Sequence, residues 1–297
     1  MYLTALRRAP AILAGSALVF LCASGGAATA LALDVDAGFL YDDNLTRAYA
    51  PADIRADAAV TMDAATAASW VLSGSDWLTL SAEARGEFYN RFTGLDVIGL
   101  GATATYKHKF GVGLEVPYLV LAANGSNDDY HSRIRDGPRF ELRAELGKRF
   151  SSQFDAAFGA RYERRYGRND EPVVPGVSGR VFALRGRSVY VRGGYDVDDR
   201  LHVGAELEVR RGDVVASTRP DFDIFVVSDA IAADPTFGPD FFAYRLPGTT
   251  DTARINGSFA LDDRSSLNLV YADERTDASG GISYRSHRVN LLYAWSY

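Results

Sequence analysis

The strongest constraint on this chain is an alternation of period two, an apolar file against a polar or charged file, which recurs from about residue 33 to the last residue. Successive strand side chains point to opposite faces, so this pattern predicts strands with one apolar face; sustained helical spacing is hard to find. Leu78, Leu80, Ala82, Ala84, Gly86 and Phe88 alternate with Thr79, Ser81, Glu83, Arg85, Glu87 and Tyr89. Phe140, Leu142, Ala144 and Leu146 alternate with Arg139, Glu141, Arg143 and Glu145. Phe154 to Tyr162 oppose Asp155, Ala157, Gly159, Arg161, Glu163 and Arg165, and Leu201 to Val209 oppose His202, Gly204, Glu206, Glu208 and Arg210. Ile98 to Tyr106 oppose Gly99, Gly101, Thr103, Thr105 and Lys107. About twelve such segments can be traced, each near the roughly 9–11 residues that a tilted strand needs to cross a bilayer.

One segment is read from Leu114, Val116, Tyr118 and Val120, with "ANGSNDDYHSRIRDG" as the loop after it. The stretch Arg180 to Arg187 breaks phase and suggests a bulge. Connections alternate in length. Short turns at 73–76, 109–113, 149–153, 196–200 and 262–266 alternate with longer polar stretches, the longest from 211 to 249. Short turns at one end and long loops at the other describe an all-β, single antiparallel up-and-down barrel that spans a membrane, with short periplasmic turns and long extracellular loops.

Residues 1–32 read as a cleaved signal peptide: Arg7 and Arg8, an apolar run from Ala11 to Leu21, then small residues to Ala32. The run is too short for a spanning helix of roughly 20 residues. The barrel is then residues 33–297. Losing Arg7 and Arg8 leaves 30 of the 32 basic residues against 38 acidic ones, a net charge of −8, which argues against nucleic acid as partner. Cys22, the one cysteine, leaves with the same segment, so disulfides are excluded.

The chain closes on "RVNLLYAWSY", where Val289, Leu291, Tyr293, Trp295 and Tyr297 share a face against Arg288, Asn290, Leu292, Ala294 and Ser296. Chain ends are ordinarily frayed and polar. An apolar strand here predicts that the last strand pairs with the first. Aromatics mark two levels, Trp70, Trp77, Tyr106, Phe150, Phe154, Tyr195, Trp295 and Tyr297 at the turn end and Tyr41, Phe88, Phe140 and Tyr162 at the other. In its ending Leu291, Tyr293, Trp295 and Tyr297 the chain resembles bacterial outer-membrane β-barrel proteins of porin-like build. The resemblance implies a Gram-negative outer membrane, lipid and lipopolysaccharide as surroundings, and these four residues as the signal read by the assembly machinery.

Function is sought on the inner file: Glu83, Arg85, Glu87, Lys107, Arg139, Glu141, Arg143, Glu145, Arg161, Glu163, Arg165, Glu206, Glu208 and Arg210. Arg outnumbers Lys by 29 to 3, and its planar fork bridges carboxylates inside a lumen. Arg139, Arg143, Arg161 and Arg165 are expected to form a positive ladder, with Gly99, Gly101, Thr103, Thr105, Ala157 and Gly159 leaving room beside it. The reading is a porin-like channel for small polar or anionic solutes such as oligosaccharides. The alternative is a non-conducting barrel that assists assembly or export of a surface polymer or protein; "GFLYDDNLTRA" resembles the first strand of barrels associated with such systems. No catalytic residues, cofactor or metal site are expected. No His-x-Ser occurs, the four His lack metal-ligand spacing, and an omptin-like protease would rest on Asp129 and His131 with Asp221 or Asp223.

Overall fold

The computed structural model describes residues 30–297. The expected leader lies outside these residues except for Ala30 to Ala32, which begin the first strand. Among the described residues thirteen strands form one antiparallel sheet. They are β1 (Ala30–Asp42), β2 (Asp57–Val71), β3 (Asp76–Tyr89), β4 (Val97–Lys109), β5 (Tyr118–Tyr130), β6 (Gly137–Arg149), β7 (Phe154–Arg165), β8 (Arg185–Asp196), β9 (Leu201–Thr218), β10 (Ala230–Ala233), β11 (Phe242–Ala260), β12 (Ser265–Ala278) and β13 (Ser283–Ser296). All but β10 form the wall. Each pairs with the next, β9 pairs with β11, and β13 returns to β1, from Asp34 opposite Ser296 to Asp42 opposite Arg288. The last strand therefore closes the barrel, and every wall strand is paired on both sides within the ring.

The apolar file faces outward. Phe39, Leu100, Leu142, Phe158, Leu207 and Ile255 are exposed, while their polar neighbours turn inward. This is the inversion a membrane barrel requires.

Three expectations need correction. β5 begins at Tyr118, so "ANGSNDDY" is strand, and Tyr118 and Val120 face inward while Leu121 faces out. Asn, Gly and Asp are poor strand formers, and only pairing on both sides holds them there. Arg185 to Tyr195 run in unbroken register with β7, without a bulge; the loss of phase marks a loop, 166–184, folded back on the barrel. Trp77 shares the inner file with its register partners Val71 and Lys107, so it is not part of the outer girdle.

The six connections at one end are L1 (43–56), L2 (90–96), L3 (131–136), L4 (166–184), L5 (219–241) and L6 (279–282). Much of the expected 211–249 loop is strand: β9 and β11 stay paired up to Thr218 and Phe242, beyond the end of β12 at Ala278, and β10 adds to the free edge of β11. Asp221 caps a five-residue helix in L5, α1 (Phe222–Val226), by accepting from the Asp223 N–H.

Candidate functional site: the lumen and its cap

The inner-file residues named from the sequence all lie on the inward face, but they are paired with one another more fully than a ladder of free arginines implies. Arg143 stands opposite Arg161, Arg139 opposite Arg165, and Glu141 opposite Glu163. Like charges facing across neighbouring strands repel. The structure relieves this by reaching over a strand. Arg161 on β7 meets Glu208 on β9 at 3.0 Å and also Glu141 at 3.4 Å, and Arg210 on β9 meets Glu163 on β7. Arg192 on β8 meets Glu145 on β6 at 2.7 Å, and the Tyr190 hydroxyl donates to the same carboxylate at 2.9 Å. Arg254 pairs with Glu206, and Arg85 on β3 with Asp128 on β5 at 2.9 Å.

The strand between each long-range pair carries a small residue. A Cβ on Gly186 would sit 2.5 Å from Arg210 and 2.7 Å from Glu163, and one on Gly99 would sit 2.7 Å from both Arg85 and Asp128. Gly159 lies under the Tyr190 ring and Gly101 under Glu83. These glycines therefore do not leave open room, as expected from the sequence; neighbouring side chains fill the space they vacate.

Two arginines stand apart. Among the described residues neither Arg139 nor Arg143 has a carboxylate within 4 Å, and the Arg139 Nε is buried without a hydrogen-bond partner. Arg165 instead donates to the Arg135 carbonyl and lies over the Tyr130 and Phe182 rings. Lys107 sits 4.6 Å over the Tyr118 ring. Across the barrel, Asp36 on β1 faces Asp63 on β2 in register, with no ion pair to either among the described residues. The unpaired acids and unpaired arginines thus occupy walls about five strands apart in the ring.

Above this lumen L5 crosses the mouth. Ring order makes L4 and L6 its neighbours and puts L2 on the far side, yet L5 touches all five other loops. Arg219 pairs with Asp53 of L1 at 2.6 Å, and Tyr49 of L1 donates to Asp221. The Phe237 ring packs tilted against Phe92 of L2, centroids 5.2 Å apart. Arg135 of L3 holds Asp234 through two bonds of 2.9 and 2.5 Å, and the Ile231 N–H donates to Ser178 of L4 at 2.9 Å. Ile282 of L6 packs with Ile224, Ile231, Tyr244 and Leu246 in one hydrophobic core, and Val181, Phe182, Ala230, Ala232 and Ala243 form a second.

Charge anchors these cores. Arg135 and Asp234 are 5 and 0 % exposed. Burial pushes the Asp234 carboxyl up, but the Arg135 charge and bonds from Arg135, Ser217 and Thr236 hold it below the usual carboxylate range. Asp53 is likewise lowered, because bonds from Thr218 and Arg219 outweigh its desolvation. The hydrogen bond to Asp221 pushes Tyr49 up to about 12.

The "DDNLTRA" stretch has a local role. Asp42 pairs with Arg47 at 2.9 Å and Arg288 at 3.4 Å, and the Asn44 amide donates to the Ala48 and Arg285 carbonyls, tying β1 to β13 at the closing seam. Asp129 and His131 are not assembled with the L5 acids: Asp129 pairs with Arg168 at 3.6 Å, and Asp221 is engaged by Tyr49. The buried L5 pair and the cap were not legible beforehand, since Arg135 and Asp234 are 99 residues apart.

An outer-membrane channel from Pseudomonas putida F1 superposes with a TM-score of 0.57 at 12% sequence identity, covering 90% of this chain and 95% of that one. The chain has the fold of an outer-membrane channel. The outer-membrane channel DcaP of Acinetobacter baumannii matches at TM-score 0.46 and 11% identity over 90% of this chain and 96% of its own. A KdgM porin in complex with oligogalacturonate matches at 0.45 and 11% over 89% and 99%. No family model and no curated protein matches the sequence.

Proposed function

We propose that this outer-membrane barrel is a narrow channel for small polar or anionic solutes, with its loop end outside the cell and L5 guarding the mouth. The observation that supports it best is the inner wall, where ionised side chains line a closed barrel and Arg139 and Arg143 remain without carboxylate partners. Such charges require water beside them, and an unpaired cation in a low-dielectric constriction raises local anion concentration. Asp36 and Asp63 on the far wall add a transverse field that orients dipolar solutes. Lipid and lipopolysaccharide would surround the wall, and Leu291, Tyr293, Trp295 and Tyr297 would be read by the assembly machinery.

Planar-bilayer recording tests this. The wild type should give resolved steps, and Arg139→Gln with Arg143→Gln should lower anion-over-cation permeability several-fold, most at low salt where screening is weak. A silent barrel, both as folded and after removal of residues 222–239, would overturn the channel reading. Phe222 and Val226, apolar and exposed on L5, favour the second reading, a partner for export of a surface polymer or protein, and that reading would then stand. Replacing Trp295 and Tyr297 with Ser should reduce outer-membrane insertion; unchanged insertion would remove their assembly role.

A further inference from the structure

The outward face is apolar over most of its height, but at the loop end β7, β8 and β9 carry Arg164, Arg185, Arg187 and Arg211, all exposed. Register sets Arg164 opposite Arg185 and Arg187 opposite Arg211. Among the described residues none of the four has a carboxylate within 4 Å, and Arg164 lies 4.7 Å over the Tyr166 ring. Like charges directly opposite on adjacent strands are destabilising, so this square invites an anion from outside the chain.

Outward charges on either flank behave differently. Arg168 pairs with Asp129 at 3.6 Å, Arg285 with Asp273 at 2.6 Å and Arg275 with Asp277 at 3.6 Å. Asp213 accepts from the Arg185 backbone N–H at 2.8 Å, and Asp251 stands two positions along β11 from Thr249, the partner of Arg211, without pairing to it.

A second observation lies below the arginines in the same outward files. The wall is hollowed there by a concavity of about 560 Å³, lined by Phe158, Val189, Val191, Leu207, Val209 and Ala253, with Asp251, Asp273 and Arg275 along its β11–β12 side. Strand rise puts Arg187 and Val191 roughly 13 Å apart. Phe140 and Tyr162, exposed aromatics, are the register partners of Arg164 and Arg187. Aromatics of this kind mark the membrane interface, which sets the arginines at headgroup height and the hollow at acyl-chain height.

We propose that this face binds one lipopolysaccharide molecule of the outer leaflet, phosphates on the four guanidiniums and acyl chains in the hollow. The inference rests on the loop end facing outward, as proposed above. Guanidinium and phosphate form bidentate, charge-assisted hydrogen bonds, and each cation near a lipid surface adds to the attraction.

The test is native mass spectrometry of the detergent-folded barrel titrated with purified lipopolysaccharide, its dephosphorylated form, phosphatidylglycerol and inorganic phosphate. The wild type should retain lipopolysaccharide, while R164Q/R185Q/R187Q/R211Q should bind it at least about tenfold more weakly, with R187Q/R211Q intermediate. Dephosphorylated lipid should bind the wild type as weakly as intact lipid binds the fourfold variant. Equal binding by wild type and both variants, or equal occupancy by phosphatidylglycerol or free phosphate, would overturn the proposal. Conductance of the same samples should not change, so a barrel that binds the lipid without conducting would sink the channel reading alone.

Discussion

The wall of the lumen and the cap across its mouth are both held by arginine–carboxylate pairs, yet they differ in how much rests on any one pair. On the wall the pairs recur over successive small residues, and their arginines stay partly open to the lumen while the carboxylates are buried, as in Arg161 with Glu208 and Arg192 with Glu145. In the cap a single buried pair, Arg135 with Asp234, joins L3 to L5 beside the second hydrophobic core, where Arg135 lies over the Phe182 ring. Repetition tolerates loss, whereas a lone buried pair does not. Removing one partner of a buried pair leaves an uncompensated charge, at a cost of about 3–5 kcal/mol.

Arg135→Ala should therefore give the largest effect, and a local one. L5 should become sensitive to protease within 219–241 while the barrel, like any closed barrel that stays folded, should still migrate faster in unheated than in heated gel samples, because wall closure through β1 and β13 does not involve the cap. Loss of both together would show that cap and wall unfold as one unit. Next in size is Gly159→Val, which displaces the Tyr190 ring from Glu145 and should lower stability by about 1–3 kcal/mol. An unchanged unfolding midpoint in denaturant would mean the wall repacks freely.

A finer contrast lies within the wall. Arg161→Gln strands Glu208 and Glu141 and should cost about 1–3 kcal/mol of stability, whereas Arg143→Gln removes a cation with no carboxylate within 4 Å and should leave stability nearly unchanged while shifting selectivity. If the two variants were equally stable, the wall pairs would contribute little and the cap pair would be the one arginine–carboxylate contact of the two regions that matters for stability.

The barrel was legible because alternation, turn spacing and the aromatic end strand agree, and each is a local property. Where residues of poor strand propensity lie in a strand, as "ANGSNDDY" in β5, the sequence reads as loop, since only cross-strand pairing decides the matter. The inner face was legible residue by residue, but its pairing was not. Period two says that Arg161 and Glu208 face inward; only the register across β8, which sets Ser188 opposite Arg161 and Tyr190 opposite Glu208, brings them together. The cap was least legible of all. Its contacts join 44–55, 92–94, 135, 178–182, 219–246 and 282, and no periodicity relates positions so far apart.

The smallest expected effect is on pH, and its sign distinguishes the cap from the wall. Asp234 and Asp53 have folded values below the ordinary carboxylate range, so their contribution to holding L5 is complete above about pH 4 and lost as pH falls through the lowered values. Tyr49 works in the opposite direction: raised to about 12, its bond to Asp221 contributes below the ordinary tyrosine value and is lost as pH climbs through about 12. Between those limits the cap should hold. Pepsin digestion of the folded barrel should accordingly release L5 fragments only at the acid extreme, below the ordinary carboxylate range, and not at pH 5. Asp234→Asn should make L5 accessible at both, because the neutral amide leaves Arg135 buried without its counter-charge. Release of the wild-type loop already at pH 5–6 would contradict this account and assign control of the cap to carboxylates whose values are raised instead.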